Sequence, residues 1–334
     1  MLGAVRQEEV MKRYDVVALG ELLIDFTENG VSAQGNPLLE ANPGGAPCNV
    51  LSMLQKLGKK TAFIGKVGDD IFGEMLIQAV KEQGISTDNL VVDKDVRTTL
   101  AFVHTAPDGD RSFSFYRNPG ADMMLQWDEV DREIIADSKI FHFGTLSMTD
   151  KSIETVTQYA LEKAKMEKNL VSFDPNLRPP LWKQLEDAKA RMWYGITACD
   201  ILKISDDEVE FLTGAKDMDS GMDHILALCH AKLICVTMGK NGSRAYYNGK
   251  VVCCDSYLQE HTIETTGAGD TFMACILNTV LEHGLDDLSE QDLQEMLQFA
   301  NAAASIITTR KGALRVMPQK QEVLKLIEER KKQR

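Results

Sequence analysis

What is missing narrows this chain before anything present is weighed. Nowhere do its 334 residues string together the ~20 uninterrupted apolar positions that a helix needs to cross a bilayer, so no membrane span is expected. The opening stretch MLGAVRQEEVMKRYD carries Arg6, Glu8 and Glu9 in place of an apolar run, so no secretory leader is expected either. Cysteine comes to seven, an odd number without a C-x-x-C pair, and most of the seven sit inside apolar runs. That usage points to a reducing cytoplasm, with neither a disulfide framework nor a zinc site. Positive charge is short: 37 Lys and Arg face 50 Asp and Glu, and the net −13 is spread along the chain. Such a surface is a poor match for a nucleic-acid backbone. The one basic run, EERKKQR at the C-terminus, reads as a solvated helix end. There is no G-x-x-x-x-G-K-S/T and no G-x-G-x-x-G after a strand, which argues against a P-loop and against a dinucleotide-dependent dehydrogenase.

What is present has a regular rhythm. Short apolar or β-branched runs recur as DVVALG (15–20), TAFIGKVG (61–68), KIFHFGT (139–145), NLVSFDP (169–175), DILKIS (200–205) and KLICVTMG (232–239). Between them lie stretches with helical spacing. NVLSMLQKLG sets Val50, Leu51, Leu54 and Leu57 on one stripe with Gly58 as its stop. KSIETVTQYALEKAKMEK is polar on one face, and DDEVEFLTG is acidic in its first turn, as the helix dipole favours. Apolar strands alternating with helices predict an α/β, doubly wound, mostly parallel sheet with helices on both faces. With no repeat and no low-complexity linker, residues 1–334 read as one domain. Residues 21–45 and 97–120 break the rhythm. In the second, TTLAFVHT and RSFSFYR flank the turn APDGD. These are expected to be inserted β-hairpins forming a small sheet over one edge, either as surface decoration or as a lid that excludes water.

The stretch ETTGAGDTFMAC (264–275) carries the chemistry. Beyond Asp270 the chain is almost wholly apolar until His283-Gly284, so a buried helix is expected to start here. Its first N–H groups and the positive end of its dipole need partners. Small residues at Gly267, Ala268 and Gly269 let those groups face an anion, such as a phosphoryl group in transfer. Asp270 then stands where it can take a proton from an attacking hydroxyl. Taken alone, the turn is equally a structural one. Four further segments set it in context. NPGGAPCNV (42–50) is a second glycine turn before a helix, GELLID (20–25) puts Asp25 beyond the first strand, and DPNLR (174–178) and TMGKNG (237–242) each follow a strand.

In that order, from about residue 14 to 318, these motifs resemble the ribokinase/fructokinase family of PfkB-type carbohydrate kinases. GELLID, NPGGAPCNV, FYRNPGADMML, DPNLRPPLW and KISDDEVEFLTG look most like its fructokinase branch. The resemblance implies a ribokinase-like fold and an ATP-dependent kinase acting on a hydroxymethyl group of a small sugar, with fructose the leading acceptor. It implies Asp270 as catalytic base and the amides of Gly267, Ala268 and Gly269 as anion hole. Asp25, Gly45 and Asn49 match sugar-binding positions, and Arg117 on the lid is expected to reach the substrate or its phosphate. Arg178 and Lys203 match triphosphate contacts, Thr237, Gly239 and Gly242 the nucleotide loop, and Asn301 a position beside the adenine. Glu208 matches an acid that organises Mg²⁺ through water and phosphate.

Two positions depart from the family pattern. Glu264 stands where the family has aspartate, so with Thr266 it offers a longer carboxylate to a loop for K⁺. Ser205 replaces the asparagine of the N-x-x-E motif. Other acceptors stay open, namely 2-keto-3-deoxygluconate, ribose or a nucleoside walled by Phe113, Phe115 and Tyr116. A sugar-binding regulator without turnover is a further alternative, and a homodimer through the lid is expected.

Overall fold

The computed structural model describes residues 11–105 and 111–333. The N-terminal stretch and the APDGD turn therefore lie outside the described residues. Among the described residues thirteen strands run in chain order: β1 (Tyr14–Leu19), β2 (Leu23–Val31), β3 (Pro37–Gly44), β4 (Thr61–Gly68), β5 (Ser86–Asp93), β6 (Leu100–Thr105), β7 (Arg111–Tyr116), β8 (Ser138–Gly144), β9 (Leu170–Asp174), β10 (Ile201–Ser205), β11 (Leu233–Thr237), β12 (Ser243–Tyr247) and β13 (Lys250–Cys254). Nine of them form one sheet in the order β13-β12-β11-β10-β9-β8-β1-β4-β5. The strands from β11 to β5 are parallel, and β12 and β13 add an antiparallel edge. The six apolar runs of the sequence are β1, β4, β8, β9, β10 and β11.

Both faces of this sheet are covered, as its near-continuous apolar strands require. Along β1 the side chains alternate: Val16 and Ala18 enter one core, Val17 and Leu19 the other. The first core holds the helices Ala46–Lys56, Ala268–His283 and Glu290–Ile307; the second holds Lys151–Met166, Leu185–Ala198 and Met218–Leu228. Local chemistry sets the helix ends. Asp150 accepts from the Ser152 N–H, and Ser205 and Glu208 close a capping box on Asp206–Thr213, which ends at the left-handed Gly214. Among the described residues no helix is long and apolar enough to cross a membrane.

The two irregular segments build a separate four-stranded sheet, β3-β2-β6-β7. Each hairpin is antiparallel, and the two join through a parallel β2–β6 pairing. Phe26 and Phe102 stack across that join with ring centres 4.9 Å apart.

Candidate active site

Strand order reverses between β8 and β1, because β1, β4 and β5 step one way and β8 to β11 the other. In open α/β sheets the crevice beyond the strand C-termini at such a point receives ligands. Here it opens into a cleft of ≈ 830 Å³, walled by the base of the small sheet, the ends of β9 to β11 and the start of the Ala268–His283 helix.

That helix begins bare. Its cap, Gly267, has φ +77°, and a Cβ there would stand 2.7 Å from the Ala313 Cβ, so only glycine fits. The Ala268 N–H turns back to the Thr265 carbonyl at 3.2 Å. Among the described residues the N–H groups of Gly267, Gly269 and Asp270 meet no acceptor. Of the three amides expected to form an anion hole, those of Gly267 and Gly269 are thus open, joined by that of Asp270, while that of Ala268 is partly spent on the turn. Behind them the Lys203 ammonium lies 2.9 Å from where a Gly269 Cβ would be, so it presses on the backbone of the same turn. Asp174 holds it there at 3.0 and 3.1 Å.

Asp270 is 8 % exposed, and its Oδ2 accepts from Asn49 Nδ2 at 2.8 Å. Burial raises its carboxyl to about 6, with Asp174 adding to the rise and the Asn49 bond, Lys203 and Arg178 opposing it. Asn49 Oδ1 is buried without a partner, an acceptor left open beside the carboxylate. Asp25, on β2, is raised to about 7 by burial, helped by Glu264 and Asp270 and opposed by Arg178. Glycine at 44 makes room for it, since a Cβ would come 2.5 Å from its Oδ2. Glu21 is also raised to about 7 by burial and accepts the Ala46 N–H at 2.8 Å, which fixes the entry to the Asn49 helix.

Toward β11 the cleft is lined by Arg178, Glu208, Thr237, Gly239, Gly242, Thr266 and Asn301. Asn301 Nδ2 donates to the Cys254 and Asp255 carbonyls, each at 3.2 Å. Glu208 spends both oxygens on backbone, accepting from Leu177 and Ser205 N–H at 2.8 Å each. It therefore holds the DPNLR loop on its helix.

Two expected site residues do not line the cleft. Glu264 accepts the Gly312 N–H at 2.7 Å and ties two loops together. Arg117 is 8 % exposed and turned away from the lid surface. Its guanidinium donates to Asp122 at 2.8 Å, to Thr149 Oγ1 at 2.7 Å and to the Leu146 carbonyl at 2.9 Å. A desolvated guanidinium needs such a partner set, and these contacts anchor the base of the β6–β7 hairpin. Sequence reasoning missed Glu21, Asn176, Asp206, Asp207 and the 256–262 segment, all of which reach the cleft. Asn176 had a signal in its motif, where it takes the uncommon φ of +46°. Asp174 was quoted only as part of DPNLR; its role as the counter-ion of Lys203 needs the third dimension.

A buried carboxyl, a bare helix start and a paired lysine gathered at a sheet's switch point make the site of a phosphotransferase with an alcohol acceptor. Comparison with known proteins agrees. The chain matches the pfkB family carbohydrate kinase profile over residues 13–320. It is 41 % identical over 318 residues to the probable fructokinase-2 of Arabidopsis thaliana, covering 93 % of this chain and 95 % of that one. The ATP-bound fructokinase of Xylella fastidiosa superposes with a TM-score of 0.85 at 32 % identity, over 95 % of this chain and 99 % of that chain. A double mutant of the Vibrio cholerae O395 fructokinase, with fructose, ADP and potassium ion bound, superposes with a TM-score of 0.84 at 26 % identity, over 95 % and 99 % of the two chains. The protein belongs to the pfkB family of carbohydrate kinases.

Proposed function

We propose that this carbohydrate kinase is a fructokinase that moves the γ-phosphoryl group of ATP to a hydroxymethyl group of fructose, with Asp270 as base. The observation that carries this reading is the Asp270–Asn49 pair set against amides without acceptors, in one cleft with Asp25. The fructokinase relatives supply the choice of sugar. Asp25, Asn49 Oδ1 and the backbone at Gly45 hold the sugar hydroxyls, for which carboxylate and amide oxygens are suited acceptors. As the acceptor oxygen bonds to the γ-phosphorus, its proton passes to Asp270 and the bond to the β-phosphate oxygen breaks, releasing ADP. Charge growing on the transferred group is met by the helix-start amides and Lys203. The nucleotide lies along Arg178, Thr237, Gly239, Gly242 and Asn301.

Magnesium accompanying ATP would neutralise phosphate charge, held mainly by phosphate and water, with the Asp206 and Asp207 carboxylates at the cleft wall to hydrogen-bond its waters. The Vibrio relative binds a potassium ion; in this chain the residues that would hold one are Glu264 and Thr266 with the Arg310–Gly312 backbone, two loops that the Glu264 bond to Gly312 joins. The small sheet acts as a lid, since Val103 and Phe115 on it line the cleft.

The test is ADP release from ATP and Mg²⁺ with fructose, ribose, glucose, 2-keto-3-deoxygluconate and adenosine offered in turn. The proposal expects fructose to give the highest kcat/KM. Turnover confined to another acceptor would reassign the substrate, and sugar binding with no turnover on any of them would make the chain a regulator.

A further inference from the structure

The basic run at the C-terminus is more than a solvated helix end. Its helix, Lys320–Gln333, lies across the chain so that Arg330 is half-buried against a segment 74 residues earlier. The Arg330 guanidinium donates to the Ser256 carbonyl, and its carbon stands 4.4 Å from the centre of the Tyr257 ring. Ser256, Tyr257 and Leu258 line the main cleft on the side of Gly239, Gly242 and Asn301. Arg330 does not line that cleft. It borders a smaller one of ≈ 200 Å³, and Tyr257 is the wall between the two.

The stretch after β13 carries no helix or strand until the Ala268 helix, and the backbone bonds that hold it, from Ile263 and Glu264 N–H to the Thr308 carbonyl, lie at its far end, away from residues 255–259. Side-chain tethers hold those residues instead. Asn301 holds the Cys254 and Asp255 carbonyls from one helix. Ser256 Oγ donates to the Lys240 carbonyl at 2.6 Å, which joins the segment to the Gly239–Gly242 loop. Gln259 Nε2 donates to Ser305 Oγ at 3.0 Å, and Arg330 adds a tether from the far side.

We propose that Arg330 is a positioning residue for nucleotide binding, holding Ser256 and Tyr257 as the rear wall of the nucleotide pocket. The inference rests on reading that side of the cleft as the nucleotide site. It assigns the C-terminal helix a part in ATP affinity that leaves the sugar side untouched. A guanidinium is needed because it stacks on the ring while donating to the carbonyl; an ammonium keeps the donor and loses the planar stack.

The test combines ADP titration calorimetry with steady-state kinetics on the full chain, unaltered and as Arg330→Ala and Arg330→Lys. ADP affinity and the KM for ATP are expected to weaken about tenfold in Arg330→Ala and less in Arg330→Lys, with the KM for fructose and the melting temperature held. If the unaltered chain turns over fructose and binds ADP, but Arg330→Ala binds ADP equally well, the inference is overturned and the reading of the site stands. Parallel losses in both KM values and in melting temperature would also overturn it, because the contact would then serve the fold alone. If the unaltered protein binds no ADP, the site reading itself fails and the inference with it.

Discussion

At the scale of single residues, the account turns on a carboxyl whose neighbours set its proton affinity. Asp270 must be ionised to accept a proton, and burial has raised it to about 6. A raised carboxyl is neutral below its pKa, so kcat/KM should fall at least tenfold per pH unit below 6, with Asp25, raised to about 7, starting the decline earlier. A pH–rate profile with fructose checks this, and a flat profile down to pH 5 would contradict it. Asn49 donates to the carboxylate and so holds its pKa down. Asn49→Ala should therefore move the acid limb to higher pH, besides raising the KM for the sugar. A limb that stays in place would show that the bond does not tune the base. At this scale the sequence was legible where a motif carries its own geometry. GAGD and GGAPCN place Asp270 and Asn49 at helix starts, and the two helices bring them together. The pairing of Arg117 with Asp122 was not legible, because it depends on the hairpin being anchored inward. Glu208 was legible as a first-turn acid, yet its second bond, to Leu177, crosses between loops and leaves no mark in the chain.

At the scale of elements, the proposed reaction rests on the helix start and on the small sheet acting as a lid. Gly267→Ala would add a Cβ at φ +77° and 2.7 Å from the Ala313 Cβ, so the turn must move and its amides re-aim. kcat should drop by about 10²-fold, the size of losing one oxyanion donor, with ADP binding largely kept. A variant with normal kcat would show that the bare amides do not serve the reaction. The lid predicts a change in exchange rather than in rate. Amide hydrogen exchange in 23–31 and 100–105 should slow when fructose and a non-hydrolysable ATP analogue bind together, and unchanged exchange would leave the sheet without a closing role. The elements themselves were legible because period-two and 3.6-residue patterns follow from burial on one face or one stripe. What stayed hidden was how the hairpins combine. The parallel β2–β6 pairing joins Ile24 to Leu100, and no local signal specifies a partner so distant in sequence.

At the scale of the whole molecule, the cleft takes its walls from both ends of the chain, from Glu21 to Thr308, so the site exists only when both halves of the sheet have assembled about its switch point. The small sheet also leaves apolar surface outward. Val31 is 67 % exposed and Tyr116 67 %, with β3 and β7 as its open edges. Pairing of two copies through this sheet should give a dimer of twice 37.1 kDa by light scattering at micromolar concentration. A monomer there would remove that expectation without touching the chemistry.

The most direct test of the central claim compares the unaltered protein with Asp270→Asn, using fructose-dependent ADP release together with calorimetric ADP binding. The swap keeps the shape and removes the base. The account predicts a fall in kcat of about 10²–10⁴-fold with ADP affinity retained. An Asp270→Asn enzyme that still turns over fructose at near the unaltered rate would contradict it.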